Sequence, residues 1–454
     1  MQYLTIWDLL LTPVYLIILI AIAKRHRDKN YPIGHPLRKY YMPGLYAKFG
    51  GAIFIGSIYA FYYGGGDTFN YFSHAIVINS SFVESPAIWW KLITHSSVYQ
   101  SPEIYPYVSK LFWYNAPSEY NAVKITAIIS LFTNTTYFPT SLLFAYLSYT
   151  GIWAMYRTFA QLYPKYTKSF AYAFLFFPSI VVWGSGIFKD TICMFGLGWM
   201  TYATFRLFVN RDFSIKNILY LILSFYLISN IKLYILLGFL PALMLWLLLS
   251  YSKKIEAAGL RWIVNLLFIG LTMAIASFFM QRFANELNKF SLEKLAKTAE
   301  TNRDWTNFAA GDEGSTYDIG KIDGTLSGTL GLFPKAVAVT LFRPFPWEVR
   351  KVIVGLSAIE ALVIVYFTLQ MLFSKHSKKL STLFRDPNVL FCLAFTIIFA
   401  FAVGASSGNF GALSRYKIPC LPFYGAVLAI MLAVEDKKPT AKRSVSTQHV
   451  QPAI

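Results

Sequence analysis

LTIWDLLLTPVYLIILIAIA, residues 4–23, runs directly into KRHRDKN, residues 24–30, and this junction decides how the chain is read. At about 1.5 Å per residue an apolar helix of that length spans roughly the 30 Å hydrocarbon core of a bilayer. The segment 24–48 then carries Lys24, Arg25, Arg27, Lys29, Arg38, Lys39 and Lys48 against the single acid Asp28. Short basic segments beside apolar spans stay on the cytoplasmic side, so this one is expected inside and the N-terminus outside. The run has no basic segment before it and no small-residue cleavage site after it, and reads as an anchor helix rather than a removable signal.

Composition extends that reading to the whole chain. Of 454 residues, 56% are hydrophobic and only 14% charged, where a soluble protein carries roughly a quarter. The expected fold is an all-α polytopic membrane protein with about eleven spans: 4–23, 50–64, 140–157, 168–185, 190–207, 215–230, 233–250, 262–280, 351–373, 387–405 and 417–434. Counting alternately from the first basic loop puts the others inside as well: Lys165/Lys168, Arg206/Arg211/Lys216, Lys253/Lys254/Arg261, Lys375/Lys378/Lys379 and Lys437/Lys438/Lys442/Arg443. The net charge of +19 is thus a set of topology signals, not a nucleic-acid surface. Ala122–Phe132 is apolar but short, and is read as a re-entrant or interfacial helix, because a crossing there would invert every later loop.

This topology divides the chain into an integral-membrane domain, 1–434, and a polar cytoplasmic tail, 435–454, expected to be disordered. Two large extracytoplasmic loops, 65–139 and 281–350, carry interfacial helices. Cys193, Cys392 and Cys420 lie in or beside apolar spans without CxxC or Cys/His spacing, which supports neither disulfides nor zinc. No internal repeat stands out, so an inverted-repeat transporter gains no support.

The candidate chemistry starts at Tyr62-Tyr63-Gly64-Gly65-Gly66-Asp67-Thr68-Phe69-Asn70-Tyr71. Three glycines permit positive φ and close backbone approach, and they deliver a carboxylate at the edge of the membrane. A plain helix C-cap is the competing reading of Asp67. Basic residues on the outer side oppose the positive-inside bias. Lys189, Lys232, Arg343, Arg415 and Lys417 fall there by the count of spans. Any one of them can snorkel to headgroups; together they suit a lipid phosphate, with Arg as a bidentate donor and Lys as a point charge. Lys189-Asp190 alternatively forms a local ion pair. Glu103 and Asp190 are candidates for a second acid or a ligand to a divalent metal ion. Tyr416 and Pro344-Phe345-Pro346-Trp347 read as interfacial anchors before they read as a sugar platform.

Three stretches carry a resemblance: Gly66-Asp67-Thr68-x-x-Tyr71, Phe177-Pro178-Ser179-x-x-x-Trp183-x-Ser185-Gly186-x-x-Lys189-Asp190, and Ser414-Arg415-Tyr416-x-x-Pro419-x-x-Pro422. In order and spacing they resemble the GT-C superfamily of integral-membrane glycosyltransferases, in particular bacterial mannosyltransferase-like members. The chain departs from that pattern in an extra first helix and in one Asp where many members show an adjacent acidic pair. The resemblance implies an inverting transferase of the inner membrane that takes a sugar from a polyprenyl-phosphate donor to a glycan, lipid or protein acceptor outside. Asp67 would be the general base and the basic residues would hold the donor phosphate. An O-antigen or exopolysaccharide polymerase shares the helices and outward arginines without an obligatory carboxylate base. A lipid-linked glycan transporter would instead place charges at span centres.

Overall fold

The computed structural model describes residues 4–97, 99–252, 315–320, 326–375, 378 and 380–432, with isolated residues 259, 263, 270 and 301. The expected span 262–280 apart from residues 263 and 270, most of 281–325 and the tail 435–454 lie outside the described residues. Among the described residues the regular structure is helical; one isolated bridge pairs Thr316 with Asn409. The principal helices are α1 (Ile6–Asn30), α2 (Arg38–Ser57, continued by a π-helical turn Ile58–Tyr62), α3 (Asp67–Glu84), α4 (Pro117–Leu131) and α5 (Tyr137–Leu162). They are followed by α6 (Thr167–Leu175), α7 (Pro178–Trp183), α8 (Lys189–Phe208), α9 (Ile215–Ile231) and α10 (Leu233–Ser252). The last set is α11 (Leu326–Phe342), α12 (Val352–Phe373), α13 (Pro387–Ser406), α14 (Phe410–Tyr416) and α15 (Leu421–Met431).

Among the described residues, five helices are long and apolar enough to cross a membrane: Ile6–Asn30, Arg38–Tyr62, Leu233–Tyr251, Val352–Phe373 and Pro387–Ser406. Their apolar side chains remain on the surface; Leu9, Ile17, Val352, Ile359 and Phe373 are each more than 60% exposed, as suits lipid rather than water. Residues 326–342, expected within a loop, form α11, which packs along α13. Gly328, Gly331, Pro334 and Lys335 interrupt its hydropathy and hide it from a window average.

Small residues let the helices close on one another. A Cβ at Gly198 in α8 would lie 2.0 Å from the Gly151 carbonyl oxygen in α5. One at Gly51 in α2 would lie 2.0 Å from the Val181 oxygen in α7. Such contacts allow backbones to meet where no water is squeezed out to drive association.

The expected single span 168–185 is broken. Phe177 is extended (φ −62°, ψ 122°) and Pro178 starts a new helix, so α6 and α7 are separate pieces. A break inside a low-dielectric core frees backbone groups that must be satisfied from within the protein. Glu360 Oε2 in α12 accepts the Ser179 N–H at 2.8 Å. At the other end of α7, Lys48 Nζ donates to the Ile180 and Gly184 carbonyls at 2.9 and 2.7 Å and to Ser148 Oγ at 3.2 Å. The basic pattern of the sequence puts Lys48 in a cytoplasmic loop; it is instead buried at 1% exposure because α2 begins ten residues before it.

Candidate functional site

The glycine turn behaves as its composition dictates. The π turn ends at Tyr62, and Gly64, Gly65 and Gly66 take φ of +67°, +150° and +125°. A Cβ on Gly66 would sit 2.6 Å from the Tyr59 ring, so both the conformation and the space exclude a side chain. Asp67 is therefore not the end of the preceding helix but the first residue of α3, where a carboxylate opposes the positive end of the helix dipole. Its side chain is 46% exposed.

Four distant segments meet at this carboxylate. Asp67 Oδ2 accepts from Arg415 Nη1 at 2.6 Å. Arg415 Nε donates to Asp190 Oδ2 at 2.5 Å, and the other oxygen of Asp190 accepts from Lys232 Nζ. Asp190 and Lys232 are 1% and 6% exposed and Arg415 7%, so the chain of charges runs from a wet end at Asp67 to a dry end at Lys232. Burial acts to lower the Lys232 ammonium pKa, but the Asp190 carboxylate outweighs it and holds the group above the ordinary lysine range. Phe188 lies 4.6 Å beneath the Arg415 guanidinium, and the Tyr416 ring 4.6 Å from Lys232 Nζ. These planar faces favour cations and exclude water beside the pairs.

Lys189 and Asp190 do not pair with each other: Lys189 Nζ bonds Glu119 Oε1 at 2.5 Å and Ser118 Oγ at 3.2 Å in α4. They are the first two residues of α8, about 100° apart around its axis, and therefore address different neighbours. Arg343 makes a two-point pair with Glu348, its Nε 3.0 Å from Oε2, and lies 5.1 Å from the Phe410 ring. Burial acts to raise the Glu348 carboxyl pKa, yet hydrogen bonds from Arg343 and the Phe345 N–H bring it below the usual range. Lys417 is fully buried and faces Glu360 at 3.6 Å. Glu103 bonds Lys91 in an exposed pair, not the Asp67 cluster.

Each of the five cations expected to hold a donor phosphate already faces a carboxylate, so none of the five stands as an unpaired positive charge. Asp190 has both oxygens committed to cations, Oδ1 to Lys232 and Oδ2 to Arg415. Among the described residues no three of His, Cys, Asp and Glu gather around a point. Sequence reasoning also missed Glu360, although a carboxylate within the apolar stretch 352–373 is a strong signal on its own. Tyr59, which sequence reasoning missed, and Tyr71 of the Gly66-Asp67-Thr68-x-x-Tyr71 stretch stand within electrostatic reach of Asp67 and Arg415.

Comparison of the chain with protein-family models, with curated proteins and with solved structures finds no match to any of them.

Proposed function

We propose that this protein is an inverting glycosyltransferase of the inner membrane, taking a sugar from a polyprenyl-phosphate donor to an acceptor on the extracytoplasmic face. The reading keeps about eleven spans, with the N-terminus outside and the C-terminus inside. The observation that carries it is the pairing of half-exposed Asp67 with Arg415, itself anchored from behind by buried Asp190.

The charge balance gives that geometry a specific use. A phosphate can be received only by exchange, and Asp67 is the exchangeable partner, because Asp190 is buried and has no water to turn to. Donor phosphate on Arg415 releases Asp67 beside the sugar. The acceptor hydroxyl then attacks the anomeric carbon, its proton passing to Asp67 as the new C–O bond forms and the bond to the phosphate oxygen breaks. Arg415, kept in register by Asp190 and Lys232, stabilises the charge gathering on the departing phosphate.

A second reading is favoured by one feature: Arg415, not Asp67, is the hub of the cluster. In an O-antigen or exopolysaccharide polymerase, phosphate stabilisation by the arginine would dominate and the carboxylate would be auxiliary. The transporter reading draws less support. Buried Lys48 and Glu360 do lie within helices, but Lys48 Nζ and Glu360 Oε2 satisfy freed backbone groups at the two ends of α7.

The deciding experiment is transfer from radiolabelled polyprenyl-phosphate sugar in proteoliposomes, comparing wild type with Asp67→Asn and Arg415→Ala. Loss in both supports the transferase; loss in Arg415→Ala alone supports the polymerase; transfer unaffected by either refutes both.

A further inference from the structure

A second charge centre lies apart from the Asp67 cluster, at the other end of α5. The start of α5 stands level with that cluster. Tyr137 and Thr68, the neighbour of Asp67, share a hydrogen bond of 2.8 Å between their hydroxyls, and the Phe138 N–H donates to Asp8 Oδ1 in α1 at 2.9 Å. Phe138 to Arg157 is 19 residues along α5 and Asp8 to His26 is 18 along α1, so both helices advance by about 28 Å from that level. This is roughly the thickness of the hydrocarbon core. Arg157 and His26 thus arrive together at the far membrane boundary, and Arg157 lies within electrostatic reach of His26 and Tyr41.

Arg157 differs from the cations of the Asp67 cluster in having no anion. Its guanidinium lies 4.1 Å from the centre of the Tyr202 ring and 5.7 Å from that of Trp199, both half-buried in α8. Trp199 is itself fixed, its Nε1 donating to Thr150 Oγ1 at 3.1 Å. Arg157 Nε is sealed from the surface and makes no hydrogen bond. The two terminal nitrogens also lack a hydrogen bond or an ion pair among the described residues, but they are not sealed, and the residue as a whole is half-buried. The acids at this end of the bundle are engaged elsewhere: Asp28 with Arg27 and Arg38, Asp212 with Arg206, and Asp386 with Tyr163 and Asn388. Lys29, one turn beyond His26, adds a second positive charge. Charges withdrawn from water are normally paired. Arg157 is held flat with one edge open and nothing negative to meet it.

We propose that Arg157 binds the phosphate of a phospholipid with net negative charge, in the leaflet opposite to the Asp67 cluster. The two terminal nitrogens present a fork that matches two oxygens of one phosphate. The Tyr202 ring takes the flat side of the guanidinium and leaves that edge free. Nε plays no part in the contact. At the boundary of the hydrocarbon core the phosphate of a lipid already stands at this level, with its acyl chains running back into the core. A head that carries its own cation would set that charge against Lys29, whereas a glycerol head brings none. The site stands on Arg157 and its surroundings alone, independently of the transfer reaction.

The test is native mass spectrometry of the full-length protein in detergent, titrated with phosphatidylglycerol, phosphatidylcholine or diacylglycerol of the same acyl chains. Phosphatidylglycerol is expected to bind about tenfold more tightly than the other two, the factor that one hydrogen bond to a charged group supplies. Arg157→Gln should remove that preference. Arg157→Lys, which keeps the charge but not the fork, should keep only part of it, and Lys29→Gln should leave most of it. Thermal unfolding in lipid-free detergent checks each variant; if Arg157→Gln fails to fold, the lysine variant and the wild-type preference carry the test. Equal loss in Lys29→Gln and Arg157→Gln would mean diffuse attraction of a basic boundary for anionic lipid and overturn the proposal. Equal binding of all three lipids would mean acyl contact alone and overturn it equally. Displacement of phosphatidylglycerol by inorganic phosphate would assign Arg157 to a soluble phosphate and overturn the lipid source.

Discussion

Arg415 Nη1 and Asp67 Oδ2 lie 2.6 Å apart although their residues are 348 positions apart in the chain. The pair closes a four-residue relay, Asp67–Arg415–Asp190–Lys232, that is wet at one end and dry at the other. Its two cations and two carboxylates cancel, which makes the exposed carboxylate the component a ligand can displace.

The proposed role of Asp67 as base is tested by Asp67→Asn. This change keeps the size of the side chain and removes its ability to take a proton. Turnover should fall roughly 10²–10⁴-fold with donor binding largely kept. Single-turnover transfer together with equilibrium binding of the lipid donor separates the two effects.

Asp190 holds both Lys232 and Arg415, and its loss should be felt first in stability. Asp190→Asn leaves Lys232 and Arg415 buried without their shared anion, a change expected to cost about 3–5 kcal/mol. Adding Lys232→Met should recover part of the loss, because the remaining cation still has Asp67. A double-mutant cycle on thermal unfolding in detergent measures that coupling.

Helix packing makes a separate demand at Gly198. A methyl group there runs into the Gly151 backbone of the neighbouring helix. Gly198→Ala should cost about 1–3 kcal/mol through forced separation of α5 and α8, whereas Gly50→Ala, with open space at its Cβ, should be close to neutral. Melting temperatures of the two variants give the contrast.

Acid should destabilise the protein through His74. Its ring packs edge-on to Phe112 and Trp113, and burial pushes its pKa down to about 4. In the unfolded chain the imidazole titrates near 6.5, so between pH 6.5 and 4 only the unfolded state takes up the proton. Stability therefore falls as the pH drops through that window. His74→Phe should flatten the decline; an unchanged pH profile would locate the acid sensitivity elsewhere.

Topology is open to direct chemistry, because Cys193, Cys392 and Cys420 are all buried and leave a quiet background. Cysteines placed at Asp67 and Glu103 should react with an impermeant maleimide in intact cells, and one at Arg25 only after lysis. The reverse pattern would place the Asp67 cluster in the cytoplasm and remove the transferase reading with it.

The sequence by itself determined the helical membrane character, because a long apolar helix is a local property of a run of side chains. It also determined the turn at Gly64–Gly66 and singled out Asp67 beside it, because positive φ is decided residue by residue. It marked Arg415 and Lys232 as unusual cations, yet not that Asp190 holds both, since pairing between residues 42 and 225 positions apart leaves no local trace. The tertiary structure alone decided which charges are spent on each other, turning a supposed basic surface into a balanced one. It alone showed that residues 168–185 are two helices rather than one. Pro178 marks a breaker, but only the packing of α2 and α12 brings Lys48 and Glu360 to the freed backbone groups and makes the break tolerable.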